Sequence, residues 1–287
     1  MINRVNHSRW WHHLILGAMA MVVLSPVMLI IWVSFGSPGA ETGTFTLNNW
    51  RLVLGLGAKG LDGSVIFSPF PALTWLGNSV KISLIYASLA TSIAAFAAYG
   101  LLRNQRASGH SLANALLVMQ FFPSVLAIVA VYILLRKLGV FVPALGVNSH
   151  GGLLLSYLGG VAFYIWFLKE QIAYLPREYE EGARVTNATS WQIFVSIVLP
   201  LLAPAFLVTF LIAFMTSFGE FPLASILLQQ QAQYTLAVGA PSYLSPQYYH
   251  WGEFAAFAVL SAMPALLLLA LIQYWLLYLT PKWKKEK

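Results

Sequence analysis

The chain has 287 residues, 59% hydrophobic and only 9% charged, with a mean hydropathy of +0.73; a soluble domain carries about 45–50% apolar and roughly 25% charged residues, so lipid is the solvent for most of this chain. The absence of cysteine excludes disulfides, thiolate catalysis, Cys-ligated zinc and iron–sulfur clusters. The formal net charge of +7 is spread between apolar runs, a pattern of membrane orientation and not of nucleic-acid binding.

A transmembrane helix needs about 20 mostly apolar residues, and six stretches qualify. Residues 14–35 come first, too long for the apolar core of a cleavable signal, and read as a retained anchor. An outer loop rich in Gly, Pro and Ser runs from 36 to about 72. The second span, 82–102, opens just after Lys81 and is followed by a short basic inner loop, 103–111. The third, 112–135, carries Pro123, and the fourth, 151–168, is the shortest. The fifth, 195–219, has Pro200 and Pro204 near its start; the sixth, 254–280, contains Pro264. Proline is tolerated in membrane helices because neighbours satisfy the freed carbonyls.

Six spans place both termini on one side, and basic residues choose the side. With the termini cytoplasmic, eleven Lys and Arg lie inside and four outside (Arg51, Lys59, Arg136 and Lys137), with Lys81 at a helix end. The expected organisation is a cytoplasmic segment 1–13, a transmembrane domain 14–280 and a basic cytoplasmic tail 281–287. Trp10, Trp11, Trp75 and Trp283 read as an aromatic interface belt.

The inner loop 169–196 stands apart. Glu178 to Val185 reads as a short helix with acids in its first turn, where the dipole favours them. Asn187 ends it, since Asn tolerates the left-handed conformation. Thr189 or Ser190 caps the next helix, with Gln192 near the capping-box position. A surface helix with small residues at its tip points to docking of another protein.

This loop resembles the EAA motif of permease subunits of binding-protein-dependent ABC importers. Glu181-Gly182-Ala183 stands for E-A-A, Asn187 for the motif glycine three residues later, and Ile197-Val198-Leu199-Pro200 for the closing I-x-L-P, with matching spacing throughout. Gly182 replaces an alanine, Asn187 the glycine, and Thr186 an acid usual before it. Further segments, among them residues 75–81, 120–126, 148–152, 234–239 and 251–256, are similar to the G-type permease of maltose/maltodextrin importers.

The resemblance implies an all-α, polytopic, six-helix type I importer permease in the inner membrane, working on an oligosaccharide of the maltodextrin kind. It implies a second homologous permease, two ATPase subunits and a soluble extracytoplasmic sugar-binding protein as partners. Glu180, Glu181, Gly182, Ala183, Asn187, Ile197, Leu199 and Pro200 would belong to the ATPase-docking loop. Tyr243, Leu244, Ser245, Pro246, Gln247 and Tyr248 would belong to a loop contacting the binding protein, with a plain connector as the other reading. The same machine with an acidic oligosaccharide as cargo, and an ion-coupled secondary transporter, are the alternatives weighed.

The residues agree with part of this. The sequence has no G-x-x-x-x-G-K-[ST] phosphate loop, so ATP and Mg²⁺ are expected on partner subunits and no cofactor on this chain. No catalytic constellation or metal site is expected, and His12-His13 read as interfacial. Polar residues at membrane depth are costly and often functional; Gln120, Thr216, Ser217 and Glu220 are candidates for the translocation path. For Glu220 a helix-end position in the headgroup region is an equal reading.

Overall fold

The computed structural model describes residues 6–36, 45–59, 63–103, 115, 118, 124–245 and 248–284. The chain divides into two compact units, residues 1–73 with 239–263 and residues 74–238 with 264–287.

In the first unit, α1 (Asn6–Ser34) is apolar on every side, contains Pro26, and leaves Met21, Val22 and Trp32 more than 70% exposed. Among the described residues its apolar middle is uncovered, as suits a helix whose solvent is lipid or a neighbouring subunit. The described part of the loop that follows carries local structure. Asn49, in the short helix α2 (Asn48–Val53), is buried and donates from Nδ2 to the carbonyls of Ser34 at 3.2 Å and Gly36 at 2.7 Å. These bonds satisfy orphan carbonyls at the end of α1. Strands β1 (Ala58–Lys59) and β2 (Val65–Ile66) pair antiparallel beside it.

The second unit is built on α3 (Ala72–Arg103). Thirty-two residues rise about 48 Å, well beyond the about 30 Å of a bilayer's hydrocarbon. The helix begins ten residues before the predicted span, so Lys81 lies within it and not at its end. Small residues on one face, Ala87, Ala90, Ala94 and Ala98, are fully or almost fully buried and let neighbouring backbones come close. Trp75, expected in an interface belt, is wholly buried instead, and its Nε1 donates to the Gln231 carbonyl at 2.8 Å. Trp10 and Trp11 are exposed.

Of the third predicted span, α4 (Ser124–Phe141) is described. It continues past the predicted end, so Arg136 and Lys137 lie on helix and not in a loop. The fourth span is bent by 48° between residues 150–160, which include α5 (His150–Tyr157), and α6 (Ala162–Ala173). Lys169, placed in the inner loop by its charge, is inside α6 and buried, 3.2 Å from Glu170.

After α7 (Glu178–Val185) the chain enters α8 (Ser190–Leu201), which contains a π-helical turn over Phe194–Val198. The predicted span 195–219 breaks at Leu202, where α8 and α9 (Ala203–Phe218) meet at 78°. The cause is local. Pro204 lacks the N–H that would bond the Pro200 carbonyl, and Pro200 lacks its own, so the ladder is interrupted on both sides of Leu202.

Among the described residues, three helices are long and apolar enough to cross a membrane, or five segments if each bent pair counts as one.

Outside the spans, α10 (Pro222–Leu227) and α11 (Leu236–Gly239) lead to the hairpin of β3 (Leu244–Ser245) and β4 (Tyr248–Tyr249), then to α12 (Trp251–Lys284). The segment between α10 and α11 is latched by distant side chains. Asn78 Nδ2 donates to the Ala232 and Tyr234 carbonyls, and Ser79 Oγ accepts from the Leu236 N–H at 2.7 Å. Asn148, at φ +61°, accepts on Oδ1 from the N–H groups of Gln229 and Gln230.

Candidate functional site

The segment 176–201 carries the motif, and its local order follows from its residues. Helix α7 places Glu178, Glu180 and Glu181 in its first turn and Arg184 in its last, both favourable to the dipole. It ends in a Schellman motif. The Ala188 N–H reaches the Ala183 carbonyl at 3.2 Å and the Asn187 N–H reaches the Arg184 carbonyl at 3.0 Å. That closure needs a left-handed residue at the turn, and Asn187 sits at φ +59°. Asn thus takes the part of the motif glycine. Thr189, not Ser190, then caps α8: its Oγ1 accepts from the Gln192 N–H, while Gln192 Oε1 accepts from the Thr189 N–H at 2.8 Å. Replacing Asn187 with valine should cost about 1–2 kcal/mol, because a β-branched residue is strained in this conformation. Replacement with glycine should cost far less. Thermal melting of the purified chain distinguishes them.

The helix has two distinct faces. Glu180 is 3% exposed, and its carboxylate is held by Arg103 at the C-terminal end of α3. Arg103 Nε donates to Oε2 at 2.9 Å and Nη2 donates to Oε1; Tyr99 Oη donates to Oε2 at 3.4 Å. Ala183 is half-buried on the same side, against the core. On the opposite side, Glu178, Glu181, Gly182 and Val185 form an exposed stripe at the i, i+3, i+4, i+7 spacing of one helical face. Val185 is 84% exposed. A Cβ at Gly182 would meet nothing within 4 Å among the described residues, whose packing does not require the glycine.

Beyond the turn, α8 is anchored by aromatic rings. Trp191 stacks on Phe96 at 5.8 Å, and Phe194 packs against Phe96 at 5.4 Å and Tyr99 at 5.1 Å.

The eight motif residues therefore separate. Glu181 and Gly182 lie on the outward face. Glu180 faces inward, where its carboxylate serves the chain's own fold and is closed to a partner, because Arg103 and Tyr99 occupy it. Ala183 is turned inward too. Asn187 shapes the turn, Ile197 packs on the core, and Leu199 and Pro200 stand exposed beside the bend. The valine at the tip was part of the sequence's case for docking; the Arg103 anchor was missed in the sequence, for its distance along the chain.

The other predicted sites have separate places. Tyr243 is fully buried, packed at 4.7 Å on both Phe70 and Phe257, so its ring belongs to the fold and is not a free contact. Leu244 and Ser245 are half-buried in the hairpin. Pro246 and Gln247 lie outside the described residues, and Tyr248 is described by its backbone in β4. Glu220 caps α10: it accepts from the Leu223 N–H at 2.7 Å, the Ala224 N–H at 2.9 Å and Tyr157 Oη at 2.9 Å. All three of these contacts are with residues of the same unit. Thr216 and Ser217 donate to carbonyls of their own helix. Gln120 lies outside the described residues.

Comparison with known proteins bears on the whole chain. Residues 65–285 match the family described as "Binding-protein-dependent transport system inner membrane component". The maltose/maltodextrin transport system permease protein MalG of Vibrio vulnificus is 42% identical over 93% of this chain and 92% of its own. MalG of Salmonella typhimurium is 39% identical over 92% and 91%, and MalG of Escherichia coli K12 37% over the same shares. Among solved structures, a bacterial ABC transporter that imports the acidic polysaccharide alginate matches with a TM-score of 0.71 at 16% identity, over 96% of this chain and 98% of that one. The MetNI methionine ABC transporter matches at 0.55 and 15%, over 73% and 98%. At those identities the likeness concerns the fold alone, and it is the ABC importer permease fold. The family match over most of the length, together with a motif helix closed and capped as its pattern demands, identifies this all-α polytopic chain as a member of the binding-protein-dependent inner membrane component family, a permease subunit of an ABC importer.

Proposed function

We propose that this permease imports maltose and maltodextrins, and that the α7 stripe of Glu178, Glu181, Gly182 and Val185 is the surface on which an ATPase subunit docks. The cargo reading is supported by relatives named for maltose/maltodextrin transport over more than nine-tenths of the chain. The docking reading rests on one observation: among the described residues, α7 is pinned on one face and exposed on the other. The exposed face carries two acids, a large exposed valine and a glycine that costs helix stability with no close neighbour among the described residues to require it. In this reading the termini and 169–196 face the cytoplasm, as the basic asymmetry requires. A second homologous permease completes the pathway, two ATPase subunits bind ATP and Mg²⁺, and the β3–β4 hairpin meets the soluble binding protein.

The test is co-purification of the ATPase with Glu181→Lys and Val185→Asp variants. Reversed or newly buried charge on a docking face should weaken the contact by about 2–5 kcal/mol, enough to strip the ATPase and stop maltose uptake. Gly182→Ala, which meets nothing within this chain and restores the family's alanine, should retain both. Full ATPase retention and uptake in both charge variants would refute the docking face. Uptake of another sugar but not maltose would refute the cargo.

A further inference from the structure

We infer that the Arg103–Glu180 pair makes the docking helix and the inner end of α3 one mechanical body, with Arg103 a positioning residue that delivers movement of α7 to the transmembrane domain; this rests on the docking reading above.

The chain leaves α7 few rigid attachments. The helix has eight residues, bounded by Pro176 and by the left-handed turn at Asn187. Among the described residues its outward face is exposed, and its inward side presents Glu180 and Ala183 to the unit. Against Ala183 the contact is apolar and can slide. At Glu180 it cannot. Both carboxylate oxygens are engaged by the planar guanidinium fork, a geometry that specifies orientation as well as distance. The side chains are only 13% and 4% exposed, so water cannot readily replace either partner. Tyr99, one helical turn before Arg103 on α3, gives the same carboxylate a third donor and packs on Phe194 of α8. The elements around the turn therefore converge on α3, which runs the length of the unit and carries the Trp75, Asn78 and Ser79 latch at its other end. A push on α7 reaches α3 through a directional polar joint. Glu180 is thus retained for transmission, and not for contact with the ATPase.

The experiment uses the whole importer in proteoliposomes, measuring maltose uptake and phosphate release together. The variants are Arg103→Lys, which keeps charge but loses the fork, Glu180→Gln, which keeps shape but loses charge, and the exchange Arg103→Glu with Glu180→Arg. Both single variants are expected to keep the ATPase bound and hydrolysis within about twofold, while sugar moved per ATP falls roughly tenfold, within the range that single positions shift coupling. The exchange, which restores an ion pair in the same place, is expected to recover at least half of that ratio. A merely structural role would lower uptake and hydrolysis together and leave their ratio unchanged, and that result overturns the inference. Loss of the ATPase from Arg103→Lys overturns it as well, since the pair would then act in docking. Should the single variants fail to assemble, the exchange decides: a ratio near that of the unchanged chain upholds the joint, and a ratio lowered tenfold overturns it. The docking face is tested separately by Glu181→Lys and Val185→Asp, so failure of one reading is distinguishable from failure of the other.

Discussion

Arg103→Met is expected to destabilise the permease by about 3–5 kcal/mol, because it strands the Glu180 carboxylate in a site that is 4% exposed. The magnitude comes from the orphaned charge and not from the net contribution of the pair. An ion pair removed from water offsets its desolvation only when both partners are present. The double variant Arg103→Met with Glu180→Met should therefore recover most of the loss, since an apolar pair of similar volume is often neutral there. Thermal melting of the purified complex reads both. A melting curve unchanged in Arg103→Met would mean that water reaches Glu180 after all. The double variant is also informative beside the transport assay, because it is expected to be stable and yet poorly coupled.

The second large effect lies at the other end of the unit. A Cβ at Gly152 would stand 2.2 Å from the Gly146 carbonyl oxygen and 3.0 Å from that of Leu145; one at Gly151 would stand 2.2 Å from the Ala144 carbonyl oxygen. These obstacles are backbone atoms, which cannot rotate aside as a side chain can. Gly152→Ala should push α5 off the preceding turn. That strains the Ser149 cap, whose Oγ accepts from the Gly152 N–H at 3.0 Å, and the Asn148 bonds to Gln229 and Gln230. Overpacking of this kind costs about 3 kcal/mol, at the upper end of its usual range. Gly159→Ala is the control: nothing lies within 4 Å of its Cβ, and its effect should stay within about 0.5 kcal/mol. Equal melting temperatures for the two variants would show that the turn gives way freely.

The contrast between these two regions shows how legibility depends on distance along the chain. The ends of α7, the turn at Asn187 and the capping box of Thr189 and Gln192 are settled by hydrogen bonds between residues no more than five apart. Backbone geometry alone decides such bonds, so the residue types at those spacings sufficed to foresee them. The apolar spans were legible for a similar reason, since a helix in lipid must satisfy its backbone internally whatever surrounds it. Their ends were less so. Lys81, Arg136, Lys137 and Lys169 marked span boundaries by charge, yet all four lie on helices. A helix can continue through a charged residue once it leaves hydrocarbon or finds cover. The 78° break at Leu202 was hidden too, because either proline alone would be tolerated and only the pair interrupts the ladder on both sides.

What only the tertiary structure decided is which face of each element the fold uses. Glu180 and Glu181 are adjacent acids, and the sequence assigned both to the docking loop. One turns inward because Arg103, 77 residues away, waits at the end of α3, and the other stands exposed. Trp75 looked like an interface residue until a carbonyl 156 positions later took its N–H. Tyr243 looked like a free contact until Phe70 and Phe257 closed around it. Glu220 is drawn onto the start of α10 by the N–H groups of Leu223 and Ala224, partners the sequence did not name. Local sequence determines where helices start, turn and stop, because those choices are made by backbone groups a few residues apart. The side a residue faces is determined by whatever the rest of the chain packs against it, and that is written only in three dimensions.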